Sequence, residues 1–121
     1  MPKALMVVFT NPASPQVEAE YNRWYNEKHL PDVTSVPGIV AATRYKLDKS
    51  VGVGPTGSAT QNYLALYELE AKNSEDLARI SAALNKALEA GKVDVSPALD
   101  TVGGMANFAL PITDRVETPR K

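Results

Sequence analysis

Two segments of this chain, KALMVVFT at residues 3 to 10 and NYLALYEL at residues 62 to 69, are apolar at almost every position rather than at every second one. Side chains along a strand point to opposite faces of the sheet. A strand built from the first run therefore shows Ala4, Met6 and Val8 on one face and Leu5, Val7 and Phe9 on the other. The second run sets Leu64 and Leu66 against Tyr63, Ala65, Tyr67 and Leu69. A sheet containing both strands needs apolar cover on two sides, because a monomeric protein rarely exposes a patch of that size.

The rest of the chain supplies cover for one side. Ser14 and Pro15 are suited to open a helix, as N-cap and first helical residue. Pro31 is expected to stop it, because the proline ring clashes with the carbonyl of Glu27 and disfavours helical geometry at Leu30. The helix is then expected to fray near His29. VPG at residues 36 to 38 reads as a turn, and residues 39 to 47 as the second strand. A second helix starts at Asn73 or Ser74 and ends at Gly91, with Leu77, Ile80, Leu84, Ala87 and Leu88 as its apolar stripe. Residues 105 to 110 form a fourth strand. The order is that of a ferredoxin-like βαββαβ unit of the α+β class, a four-stranded antiparallel sheet with two helices on one face. It predicts a single domain over residues 1 to 111, a polar tail over residues 112 to 121, and a homodimer packed through the uncovered sheet faces.

Composition narrows the function. A chain of 121 residues, 44% hydrophobic, has room for one core and little more. Its net charge of -1 leaves no basic footprint for nucleic acid or an anionic membrane. The absence of cysteine excludes disulfides, thiolate nucleophiles and Cys-ligated metals. A metal is not expected, since a lone histidine would need several carboxylates beside it. The apolar run at residues 4 to 9 is too short for a signal segment, and no later run is long enough to span a bilayer, which points to the cytoplasm. Gly52, Gly54 and Gly57 match the G-x-G-x-x-G spacing. A strand follows them instead of a helix, and Pro55 interrupts the run, so the stretch reads as a mobile connection or a lid rather than a nucleotide site.

The chemistry is concentrated in YNRWYNEKHLPDV, residues 21 to 33. At about 100° per residue, Val17, Tyr21, Trp24 and Lys28 fall on one side of the helix, with Glu18, Asn22, Tyr25 and His29 on the adjoining stripe. Such a face either borders a pocket between helix and sheet or packs the core. His29 is the only histidine and the natural proton shuttle. The helix end, Glu27 and Asp32 favour its charged form, and burial favours the neutral one. Asp32 can accept a hydrogen bond from one ring nitrogen and leave the other as a general base; it can equally cap a following turn. Arg44 offers a fixed cation for a carboxylate or enolate oxygen, or an ion-pair partner for Asp32 or Glu68. Tyr45 beside it is taken as a further pocket residue. Asn107, the polar residue in MANFAL, must satisfy its amide on backbone or ligand. Tyr63 and Tyr67 share a strand face and are assigned to the dimer interface.

TNP after the first strand, then EYNRWYNEKHLPDV, VPG and AATRY, resemble the EthD-like branch of the dimeric α+β barrel superfamily, named for a protein of ethyl tert-butyl ether degradation. The motifs span residues 9 to 45; the later strands are similar in pattern only. The resemblance implies a ferredoxin-like protomer, a dimer with facing sheets, and a cavity between each sheet and its helices. Relatives in the superfamily include cofactor-free cyclases, dehydratases, isomerases and quinone-forming monooxygenases, haem proteins, and members with no assigned reaction. In several of them a histidine near this helix end is an acid or base, and the matching position is His29. The resulting expectation is a cofactor-independent acid–base enzyme of lyase, dehydratase, cyclase or isomerase type, acting on a hydrophobic aromatic or carbonyl-bearing metabolite. His29 would move the proton, Asp32 orient it, and Tyr25 or Arg44 stabilise negative charge, with Tyr21, Trp24, Tyr45 and Asn107 lining the pocket. The alternatives are a non-catalytic ligand-binding or accessory protein and a cofactor-free monooxygenase.

Overall fold

The computed structural model describes residues 2–119. Four strands, β1 (Ala4–Thr10), β2 (Ile39–Lys46), β3 (Tyr63–Leu69) and β4 (Met105–Ala109), form one sheet in the order β2-β3-β1-β4. Every neighbouring pair is antiparallel. The helical elements are α1 (Glu18–Trp24), α2 (Leu30–Thr34) and α3 (Ser74–Glu89). The class is α+β and the topology ferredoxin-like, as the order of apolar runs requires.

Ala4, Met6 and Thr10 of β1 stand opposite Leu69, Tyr67 and Tyr63 of β3. All six are buried, together with Ala65, Ile39, and Tyr21, Trp24 and Ile80 from the helices. This face is the core. Tyr63 and Tyr67 therefore pack under the helices and not at the sheet face assigned to a dimer interface, because the register couples them to the buried positions of β1. The alternate residues Leu5, Val7, Phe9, Leu64 and Leu66 remain partly open to solvent, with Tyr45 and Met105 exposed beside them. Asn107 stands opposite Val7 on that same open face.

β2 contains a bulge between Ile39 and Ala41. Two residues there oppose one on β3, and the phase of every later side chain inverts. Ile39 faces the core, yet so do Ala42 and Arg44, which stand opposite Tyr67 and Ala65. Tyr45 is thereby sent to the open face.

The first helix departs from expectation at both ends. Pro15–Val17 is a 3-10 turn that precedes α1, and Ser14 makes no side-chain cap. Pro31 does not stop the helix. Between α1 and α2 the chain makes a wide π turn over Tyr25–His29, in which the Leu30 N–H bonds the carbonyl of Tyr25, five residues back. Leu30 keeps helical geometry (φ -58°, ψ -50°) despite the proline after it. The extra residue shifts the hydrogen-bond ladder, so the proline sits at the first turn of a new segment, where its missing N–H costs nothing. α3 follows its sequence signals more closely. The Asn73 side chain accepts the Asp76 N–H at 2.9 Å, and Gly91 leaves the helix at φ +74° while the Lys92 N–H returns to the Ala87 carbonyl. Its apolar stripe is narrower than predicted, with Ile80 buried and Leu88 exposed.

Residues 47–62 link β2 to β3 without a helix, which leaves the glycine spacing there without the strand–turn–helix setting a phosphate loop needs. Beyond β4 the tail through residue 119 has no regular element; residues 120 and 121 lie outside the described ones. Among the described residues no helix is long and apolar enough to cross a membrane.

Candidate functional site

The π turn places Tyr25 and His29 side by side beneath Trp24. The imidazole lies 4.6 Å from the Trp24 ring and 4.9 Å, edge-on, from the Tyr25 ring. Its Nδ1 is 2.9 Å from the backbone carbonyl of Asp94. A carbonyl can only accept, so Nδ1 carries a proton. The other ring nitrogen, Nε2, has no hydrogen-bond partner among the described residues and is not shut away from solvent. Burial against the two aromatic rings pushes the imidazole below its ordinary pKa, outweighing the bond to the Asp94 carbonyl and the charges of Asp32 and Asp94. The charge of Arg44 pushes the same way. At neutral pH the ring is therefore an uncharged Nδ1–H tautomer with a bare Nε2, the form a general base requires.

Asp32 does not orient this ring. Its carboxylate takes the Lys28 ammonium at 2.7 Å and the Asp94 backbone N–H at 3.2 Å, and the lysine holds it below the ordinary carboxylate range. The helix continues past Pro31, so Asp32 lies one turn from Lys28 and pairs with it at (i, i+4). The orienting acceptor is instead Asp94, a residue the sequence reading missed. Asp94 is gripped three times over: N–H by Asp32, carbonyl by His29, and carboxylate by the Trp24 indole N–H at 3.2 Å. Nothing in the sequence pointed to a loop residue 65 positions beyond the histidine.

Tyr21 and Tyr25 are fully buried, and Trp24 nearly so. The Tyr21 hydroxyl pairs with Thr10 at 2.5 Å, and the Tyr25 hydroxyl with Tyr67 at 3.4 Å. Burial raises the pKa of all three phenols, those of Tyr21, Tyr25 and Tyr67. In this arrangement the two helix tyrosines are core residues, and their hydroxyls are committed to the sheet.

Arg44 rises from β2 against the same aromatic cluster. Its guanidinium lies 4.2 Å from the centre of the Tyr25 ring and 5.2 Å from those of Tyr21 and Tyr63. Nη1 and Nη2 donate to the amide oxygens of Asn26 (2.7 Å) and Asn22 (3.0 Å). Neither Asp32 nor Glu68 pairs with it. Asn22 also donates to the Tyr63 hydroxyl, which in turn donates to Glu18 at 2.5 Å. Glu18, Asn22 and Asn26 stand four apart on the helix, a polar stripe of which the sequence reading used only the first two. Tyr45 and Asn107 are not brought into this group; both lie on the open sheet face. Beside Arg44, Asn26, Leu30, Pro31, Thr34, Val40, Ala41 and Ala42 line an open groove of about 490 Å³ between α2 and β2. Among the described residues, no three acidic or histidine side chains gather to hold a metal.

No protein-family model and no curated protein matches the sequence. Among solved structures the chain is similar to an ethyl tert-butyl ether (EthD) family protein from Bacillus halodurans C-125, with a TM-score of 0.50 and 16% identity over 88% of this chain and 97% of that one. It is also similar to HapK from Hahella chejuensis, with a TM-score of 0.53 and 10% identity over 94% of this chain and 99% of that one. Such identities speak to the fold, and it agrees with the strand order and helix placement described above. The chain has the EthD-like fold, a four-stranded antiparallel α+β sheet with its helices on one face.

Proposed function

We propose that this protein binds a small carbonyl- or phenol-bearing metabolite at the end of the π turn and transfers a proton on it through Nε2 of His29. The reading is carried by the hydrogen bond from Nδ1–H to the Asp94 carbonyl, which fixes the tautomer and leaves Nε2 of the neutral ring without a hydrogen-bond partner among the described residues. Proton removal beside a carbonyl sends an electron pair onto oxygen. Arg44, whose guanidinium lies 4.2 Å from the centre of the same Tyr25 ring that His29 meets, adds positive potential to this neighbourhood. Lyase, dehydratase, cyclase and isomerase reactions each include such a transfer as one of their steps.

A second reading, a non-catalytic binding or accessory protein, is favoured by the commitment of Tyr21, Tyr25 and Asp32 to the core and the Asp94 loop. Turnover separates the two. A panel of carbonyl and phenolic metabolites is screened for binding and conversion by the wild type and His29→Ala. The enzyme reading expects a converted substrate and a loss on the order of a hundredfold or more in His29→Ala. Bound ligands that are never converted, with affinity indifferent to His29, would establish the accessory role instead.

The assembly proposed for either role is a homodimer through the open faces, supported by the partly exposed Leu5, Val7, Phe9, Leu64 and Leu66. An apolar face of five such residues on adjacent central strands calls for a second copy or an equivalent cover.

A further inference from the structure

We infer that Arg44 and the groove between α2 and β2 form a subsite for a small molecule carrying a carboxylate on an apolar body. The inference rests on the small-molecule reading above and narrows its ligand class. The other described arginines each meet a carboxylate: Arg23 meets Glu20 and Glu27, Arg79 meets Asp76, and Arg115 meets Glu117. Arg44 meets none among the described residues. Its partners are two neutral amide oxygens and three tyrosine rings. These hold the guanidinium without neutralising it, the Tyr21 hydroxyl stands within hydrogen-bonding reach of it, and the two amide bonds are made through Nη1 and Nη2 and leave Nε out.

The nearest carboxylate in the hydrogen-bond chain, that of Glu18, is occupied by the Tyr63 hydroxyl rather than by the arginine. A half-buried, pre-oriented cation with donors to spare suits a planar carboxylate, which it can meet with two parallel bonds. The groove fixes the rest of the ligand. Asn26 both lines it and accepts from Arg44. Ala42 lines it two residues before Arg44 on the same face of β2, roughly 7 Å away along a strand. A head group on Arg44 thus directs its apolar body over Ala42, Val40 and Leu30.

The probes are 4-butylbenzoate, its neutral isostere 4-butylbenzamide, and inorganic phosphate as an anion with no apolar body, each titrated into the full chain and followed by amide NMR. The expected result is benzoate binding about tenfold or more tighter than the benzamide, consistent with a charge-assisted bidentate contact. Shifts should centre on the Asn22 and Asn26 side chains, Thr34 and Ala42, and phosphate should bind no tighter than the benzamide. Arg44→Gln should remove the preference for the benzoate. Should that variant fail to fold, Val40→Glu, at an exposed position in the groove, should weaken the benzoate more than the benzamide. Equal affinity of the two isosteres, phosphate binding as tightly as the benzoate, shifts on another face, or binding by neither aromatic probe would overturn the inference. The proton-transfer reading fails separately, if NMR places the neutral proton of His29 on Nε2.

Discussion

Gly38 closes the turn from α2 into β2 at φ +94°, and a Cβ built there would lie 2.6 Å from Cγ1 and 2.9 Å from Cδ1 of Ile80 on α3. Carbon atoms in contact sit about 3.5–4.0 Å apart, and a β-branched side chain in a helix has essentially one χ1 rotamer to offer. Gly38→Ala therefore combines two penalties: left-handed backbone at about 1–2 kcal/mol and overpacking of a buried contact at about 1–3 kcal/mol. Gly91 provides the control. Its φ is +74°, and nothing lies within 4 Å of a Cβ there, so Gly91→Ala should lose only the backbone part. In urea denaturation with unchanged m-values, the two variants should fall about 2–5 and about 1–2 kcal/mol below the wild type. Ile80→Ala in the Gly38→Ala background should cost less than in the wild type, because the clash disappears with the side chain. Equal losses for the two glycine variants, or strict additivity with Ile80→Ala, would refute the close approach of α3 to this turn.

His29 should appear in nitrogen NMR at pH 7 as the neutral Nδ1–H form and titrate below its ordinary value of 6.5. The unfolded chain then takes up the proton first. Stability should be full above pH 6.5 and fall as the pH drops through the interval down to the folded pKa; His29→Gln should flatten this segment, and a wild type that gains stability on acidification there would contradict the burial argument. Trp24→Phe deletes the indole bond to the Asp94 carboxylate and should cost about 1.5–3 kcal/mol, with faster amide exchange at residues 93 to 95; unchanged exchange would show that the clamp on Asp94 does not hold that loop. Leu66→Lys puts a charge in the middle of the open sheet face, opposite Val7 and Thr43. It should convert a dimer to a monomer in sedimentation velocity, and a monomeric wild type at micromolar concentration would dispose of the dimer.

Local rules carried some elements almost to the residue and failed at others for identifiable reasons. Asn73 and Gly91 bound α3 because a cap and a left-handed exit act within one turn of the helix. Pro31 misled because the same local rule, applied to the first helix, takes no account of a π turn that reshapes the hydrogen-bond ladder ahead of the proline. In the site, His29, Trp24 and Tyr25 were legible as a cluster, since neighbours on one helix stay neighbours in space. Their partner Asp94 was not. A bond between residues so far apart in the chain depends on where a loop returns, and no local pattern records that.

Near-continuous apolar runs in β1 and β3, two helical segments and their order along the chain determined by themselves that this sequence folds as a ferredoxin-like sheet with one face uncovered, because burial of apolar surface admits few other arrangements. Which face each later side chain joins was decided only in the tertiary structure. The bulge at Val40 shifts β2 by one residue, turning Arg44 toward the tyrosines and Tyr45 away from them. The side-chain period of a strand is two, so a single inserted residue exchanges the faces of everything after it. Whether a strand accepts that insertion is settled by its pairing with β3 and its packing under the helices, not by its own sequence.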